Sequence, residues 1–283
     1  MNFIKKSILA LSTLSLAACM STQPPVITME SNEVYQFDDD ASFALNVAQM
    51  TRKTAGLSDV ELPEDAQFKA NRGLVGAEYA MSFLTGGLVD LAGSMGAQSQ
   101  ADRAFNWKPM LVFLGDLDSQ NIDADAVKVV ERELANTFNN IDSEFLGLMR
   151  SSSSNRDDNF GVAFKGAKCD PSKQTSYTYK GLLKGGLFLD AKPEYDRACG
   201  FFVDINVTGK VNIEGEVKDV ITLTIIGGYK RIDEILIATS GYAVVPQTYG
   251  SWGGVKYTVP APYVIHNNTM YLFTKENSSF KLN

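Results

Sequence analysis

The chain reads as an α+β protein, with a helical N-terminal part followed by a β-rich C-terminal part whose sheet is mostly antiparallel. Three observations predict this. Apolar residues recur at helical spacing in several stretches before residue 150. A polar, turn-rich loop then occupies 151–159, and beyond it short β-branched and aromatic runs follow one another. The composition, 45% hydrophobic over 283 residues, is enough to bury a sizeable core. A formal charge of -7 argues against a nucleic-acid backbone as the main partner.

Taken in order, the chain begins with Lys5 and Lys6, an apolar run from Ser7 to Leu16, and then Leu16-Ala17-Ala18-Cys19. A positive start, a short apolar stretch and small residues before a cut site make a secretory signal peptide over 1–18, too short to span a bilayer. Cysteine directly after Leu-Ala-Ala resembles the lipobox of bacterial lipoproteins. The resemblance implies cleavage before Cys19, a diacylglycerol on its sulfur and an acylated new amino terminus. Met20 stands where an aspartate would retain the protein in the inner membrane, so the resemblance points to the outer membrane, on its periplasmic or surface side.

Removal of 1–18 leaves 24 bases against 33 acids and a charge of -9. Such a surface is not drawn to anionic lipid, so the acyl chains must supply the attachment, at about 0.8 kcal/mol per buried methylene. In the oxidising compartment that the lipobox implies, the two remaining cysteines, Cys169 and Cys199, are expected to form a disulfide. Closing a loop of that size stabilises by about 3–4 kcal/mol in the chain-entropy model.

Residues 19–40 are polar, contain Pro24-Pro25 and read as a lipidated tether. The acids Asp38-Asp39-Asp40 and the later Gly56 bracket a helix of about fifteen residues. Within 41–150, the segment 73–97 is the most unusual. Leu74, Ala77, Met81, Leu84, Leu88, Leu91 and Met95 alternate spacings of three and four, a helical seam backed by small residues. It predicts a core helix or helix pair, or alternatively an oligomer seam or a membrane-touching hairpin.

Met110–Leu114 reads as a buried strand, Val127, Val130, Leu134 and Phe138 as a helical stripe, and Phe145–Met149 as the next strand. This strand–helix–strand unit, with the later Gly200–Gly209 segment, resembles small domains of envelope-assembly lipoproteins, the activators of penicillin-binding proteins and the curli-secretion type. The likeness is one of pattern over less than half the chain, and it implies architecture only. After 151–159, the domain 160–283 carries strand-like runs at Phe160–Phe164, Phe201–Val207, Ile235–Thr239, Val255–Val259, Tyr263–Ile265 and Met270–Phe273. His266-Asn267-Asn268-Thr269 reads as a hairpin turn. Val220–Ile226 fits a strand or a helix, with strand preferred.

Chemistry is sparse. The single histidine, His266, sits in the expected turn without a nucleophile elbow, and Ser278 with Lys281 lacks supporting motifs. No phosphate-cradling loop occurs. Asp116, Asp118, Asp123 and Asp125 alternate as calcium ligands do, but Asn121 and Val127 stand where that loop needs glycine and glutamate. A solvated loop and a helix cap explain the acids. Neither a metal, a cofactor nor a catalytic residue is expected. The remaining feature is Tyr249 and Trp252 on a glycine-rich loop, suited to a sugar or a protein partner. The expectation is a non-enzymatic, lipid-anchored outer-membrane component of a secretion, transfer or adhesion assembly, working through contacts with envelope proteins or a second copy. The alternative is a lipoprotein that binds or cleaves glycan through the Tyr249–Trp252 loop.

Overall fold

The computed structural model describes residues 30–54, 57–59, 61, 68–74, 78–83, 108–150, 159–166, 169, 198–227, 232–245 and 263–282. Twelve strands and three helices lie in these residues. In chain order they are β1 (Val34–Gln36), α1 (Phe43–Met50), β2 (Phe68–Leu74), β3 (Glu78–Phe83), β4 (Met110–Gly115), α2 (Ile122–Asn139), β5 (Ser143–Arg150) and β6 (Asn159–Gly166). There follow β7 (Cys199–Ile213), β8 (Glu216–Gly227), α3 (Ile232–Ala238), β9 (Tyr242–Val245), β10 (Tyr263–His266), β11 (Thr269–Leu272) and β12 (Ser279–Lys281).

Ten strands form one sheet in the order β12-β11-β10-β9-β4-β8-β7-β6-β5, with β1 added against β7. Every neighbouring pair along that order is antiparallel, whereas β1 runs parallel to β7 with Val34 opposite Lys210 and Gln36 opposite Asn212. The pairing of β6 with β7 stops at Asn159 opposite Asp204, so β1 takes over the place beside β7 that β6 vacates. Two tight hairpins follow from the sequence. Glu214-Gly215 and Asn267-Asn268 each place two residues at positive φ, the conformation a two-residue turn between twisted strands requires.

Period-two alternation assigns the side chains to two faces. Leu111, Phe113, Phe160, Val162, Phe164, Val203, Ile205, Ile221 and Leu223 face α2, whose Ala126, Val130, Leu134 and Phe138 close over them. Met110, Val112, Val220, Val244 and Val264 face the other way, against Ala44, Leu45, Val47 and Ala48 of α1. One extra residue, Thr208, lies in β7 between the pairs Val207–Ile221 and Gly209–Val220. This bulge reverses the alternation, so that Val207 packs on the α2 side and Val211 on the α1 side. Where β9 begins, Gly241 is obligatory, because a Cβ there would lie 2.3 Å from the Val112 carbonyl oxygen.

Among the described residues the expected helical N-terminal part is not present; the fold is mostly antiparallel sheet. Of the seam at 73–97, Leu74 ends β2 and Met81 lies in β3, and these strands pair antiparallel as a separate hairpin. Leu84, Leu88 and Leu91 lie outside the described residues. Tyr79, Met81 and Phe83 alternate with Glu78, Ala80 and Ser82, a strand period hidden beneath the helical one. The helix expected at about fifteen residues is the eight-residue α1. Its cap is Ser42, not the acid run, and Arg52 at φ 58 stops it before Gly56 is reached. The expected strand Ile235–Thr239 lies within and just beyond α3, where Ile232, Ile235 and Leu236 have helical spacing behind Asp233 and Glu234. The tether does not extend to residue 40, because β1 lies within it. Nor does 151–159 separate two cores: β5 pairs with β6 across it, and β4 pairs with β8. The elements β4, α2, β5, β6, β7, β8 and the β10–β11 hairpin lie where their patterns place them. The run Val255–Val259 lies outside the described residues.

Candidate functional site

The first described residues dock onto the middle of the sheet. The Glu30 amide donates to the Val207 carbonyl at 3.0 Å. Arg52 then clasps Glu33, donating to its carboxylate at 3.1 Å and its carbonyl at 3.0 Å. Beyond β1, the chain is fixed by Asn46, a polar residue in the otherwise apolar stretch Ala44-Leu45-Asn46-Val47-Ala48. Its side-chain oxygen accepts from the Tyr35 hydroxyl at 3.0 Å and the Asp38 amide at 2.8 Å. Its side-chain nitrogen donates to the carbonyls of Asp38, Ala41 and Ser42 at 2.9, 3.3 and 3.2 Å. A buried amide with this many partners fixes one path for the chain. The Tyr35 hydroxyl also donates to Gln49, and burial, with the nearby Asp38 carboxylate, raises its pKa above the usual tyrosine value. At the start of α1 the Ser42 side chain accepts from the Leu45 amide at 3.0 Å and donates to Asp59 at 2.6 Å. The Asp59 carboxylate also accepts the Ser42 amide, placing a negative charge where the helix dipole favours it.

Cys169 and Cys199 form a disulfide, with Cα atoms 5.6 Å apart. Cys199 opens β7 opposite Phe164 of β6 and is fully buried in the α2-side core. The bridge therefore closes the connection between those strands at its base.

His266 ends β10, and the turn that follows is Asn267-Asn268. Its Nδ1 lies 2.9 Å from the Gly241 carbonyl, which only a protonated nitrogen can satisfy, so Nδ1 donates. Nε2 lies 2.9 Å from the Asn267 amide nitrogen and accepts from it. The ring stacks on Tyr242 at 4.4 Å and lies 6.0 Å from Phe43, which itself sits 4.4 Å from Tyr271. This is a packing role, with both nitrogens engaged. Burial first, and the Glu214 carboxylate second, raise the Tyr242 pKa.

Of the acids after β4, Asp116, Asp118 and Asp125 are engaged in local structure, and Asp123 lies in the first turn of α2. Asp116 binds Lys218 at 3.1 Å, and Asp118 accepts from the Gln120 amide at 3.0 Å and from the Asn121 side chain at 3.3 Å. Asp125 accepts from Lys128 at 2.8 Å and from the Asp118 amide at 3.3 Å, and these hydrogen bonds lower its pKa. Among the described residues no group of three or more His, Cys, Asp or Glu side chains is placed to hold a metal.

One arrangement escaped the sequence reading. On the α1 side of β6, β7 and β8, a polar cluster lies beyond the helix: Asn159, Asp204, Asn206, Thr222 and Thr224. Asn159 donates to Asp204 at 2.9 Å, Lys53 donates to the Asn206 side chain, and the buried Thr222 donates to the Asn206 carbonyl at 3.4 Å. The signal was legible as the alternation of Asp204 and Asn206 with Val203, Ile205 and Val207. Of the residues singled out from sequence, the structure joins Cys169 to Cys199 and places Leu74 and Met81 on paired strands. Cys19, Tyr249 and Trp252 lie outside the described residues. No family model, curated protein or solved structure matches the chain.

Proposed function

We propose that this protein is a lipid-anchored component of the bacterial cell envelope, attached through Cys19 and acting through protein contacts rather than catalysis. The observation that carries the reading is Leu16-Ala17-Ala18-Cys19 behind a positive and then apolar leader. The Cys169–Cys199 disulfide supports it, since such bonds persist in the oxidising compartment to which that leader directs a chain. The anchor is the outer membrane, and the folded part serves as an accessory or structural element of an envelope assembly.

The test is purification of the full-length protein from native membranes in mild detergent, beside a sedimentation assay on purified peptidoglycan. The reading expects defined envelope proteins to co-purify at fixed stoichiometry, with no retention on peptidoglycan. Retention that falls several-fold with Trp252→Ala, with no co-purifying protein, overturns it in favour of a glycan-directed role.

A further inference from the structure

The way the chain joins the sheet, together with the charges at one end of it, fixes how an anchored protein stands on its membrane. β7 defines an axis. From Cys199 to Ile213 it rises about 45 Å, at about 3.3 Å per residue. At its far end stands the β7–β8 hairpin tip, Glu214-Gly215. At its near end lie the disulfide and the strand ends Ser143, Glu144, Lys165 and Gly166.

The N-terminal chain meets this axis in its middle. Glu30 is bonded to Val207, and β1 then runs parallel to β7 towards the tip. Eleven Cα-to-Cα steps separate Glu30 from Cys19. Fully extended they reach about 40 Å. From Val207 to the tip is about 25 Å. A lipid at Cys19 holds the near end of β7 towards the bilayer without any reversal of the chain. Bringing the tip to the bilayer requires more than half of that reach to double back alongside β1.

Charge gives an independent argument in the same direction. Around the tip, Asp116, Asp118, Glu214 and Glu216 are all exposed. Lys218 is shared between Asp116 and Glu216 at 3.1 and 3.0 Å, and Lys210 is bound to the buried Asp219 at 2.6 Å. The tip is therefore strongly acidic and is repelled by an anionic leaflet. Among the described residues, the near end is balanced, with Lys108 and Lys165 beside Asp142 and Glu144.

We propose that the anchored protein stands with the Cys199 end of β7 facing the lipid and the acidic β7–β8 tip facing away. The proposal rests on lipidation at Cys19. The test uses the mature, lipidated full chain in vesicles of phosphatidylcholine and phosphatidylglycerol carrying a headgroup energy acceptor. A donor dye is placed at Lys165→Cys in one preparation and Glu216→Cys in another, with the native disulfide oxidised. Both sites are exposed strand positions, so the substitutions leave the fold intact. Flotation of the vesicles first reports the anchor. The proposal expects both variants to float and the transfer from position 165 to exceed that from 216 several-fold. Protein that does not float overturns the anchor, and the orientation with it. Protein that floats with equal transfer from both sites, or greater transfer from 216, overturns the orientation alone.

Discussion

The two faces of the large sheet are built on different principles. On the α2 side, apolar residues from β4 to β11 form one continuous layer, closed by a helical stripe of Ala126, Val130, Leu134 and Phe138. On the α1 side, the apolar patch is confined to the strands beneath the short helix. Beside it on β6, β7 and β8 stand Asn159, Asp204, Asn206 and Thr222, joined by specific hydrogen bonds, and Thr224, whose buried hydroxyl has no partner among the described residues. The first face draws its stability from area removed from water, which tolerates conservative exchange. The second draws on specific donor–acceptor pairs, so truncating one partner leaves the other unsatisfied.

Substitutions on each face separate these two modes. The largest effect is expected from Phe138→Ala on the α2 face. Phe138 is fully buried and stacks on Phe164 at 4.6 Å, so its truncation costs about 3–5 kcal/mol in denaturant unfolding. Reduction of Cys169–Cys199, at the edge of the same face, should follow at about 3–4 kcal/mol, provided the unfolded chain gains the full loop entropy. On the other face, Asn46→Ala should cost about 1–3 kcal/mol and speed amide exchange across 30–40, because Asp38 and Tyr35 lose their shared acceptor. The smallest change is Thr222→Val, a buried isostere that removes one bond to the Asn206 carbonyl. It should cost about 1 kcal/mol, and a neutral result would mean that the polar floor contributes no net stability.

The same contrast explains what the sequence disclosed. The α2 face was legible because its elements repeat a single period. Met110–Leu114 is a plain apolar run, and Val130, Leu134 and Phe138 recur every four residues. The β10–β11 turn was legible because asparagine tolerates the positive φ that both turn positions need. The failures came where two periods overlap or where long-range partners decide. Met81 satisfies a helical seam and a strand alternation at once, and its pairing with Ala70 resolves it. Ile235, Leu236 and Ile237 suggest a strand by composition, but the acids before them and the helical spacing of Ile232, Ile235 and Leu236 belong to a helix. The docking of residues 30–40 depends on Val207, Arg52 and Asn46, partners that local pattern does not reveal. Of the candidate site residues, the cysteine pair was legible because assigning Cys19 to the expected lipobox leaves two cysteines, Cys169 and Cys199.

In the proposed mature form the chain begins at a lipidated Cys19. Intact-mass and fragment mass spectrometry of the full-length protein recovered from native membranes tests it directly. The account predicts an amino-terminal fragment starting at Cys19, heavier than its peptide by a diacylglycerol and one further acyl chain, and absent from Cys19→Ser. A fragment that starts elsewhere, or an unmodified Cys19 in membrane-bound protein, contradicts it.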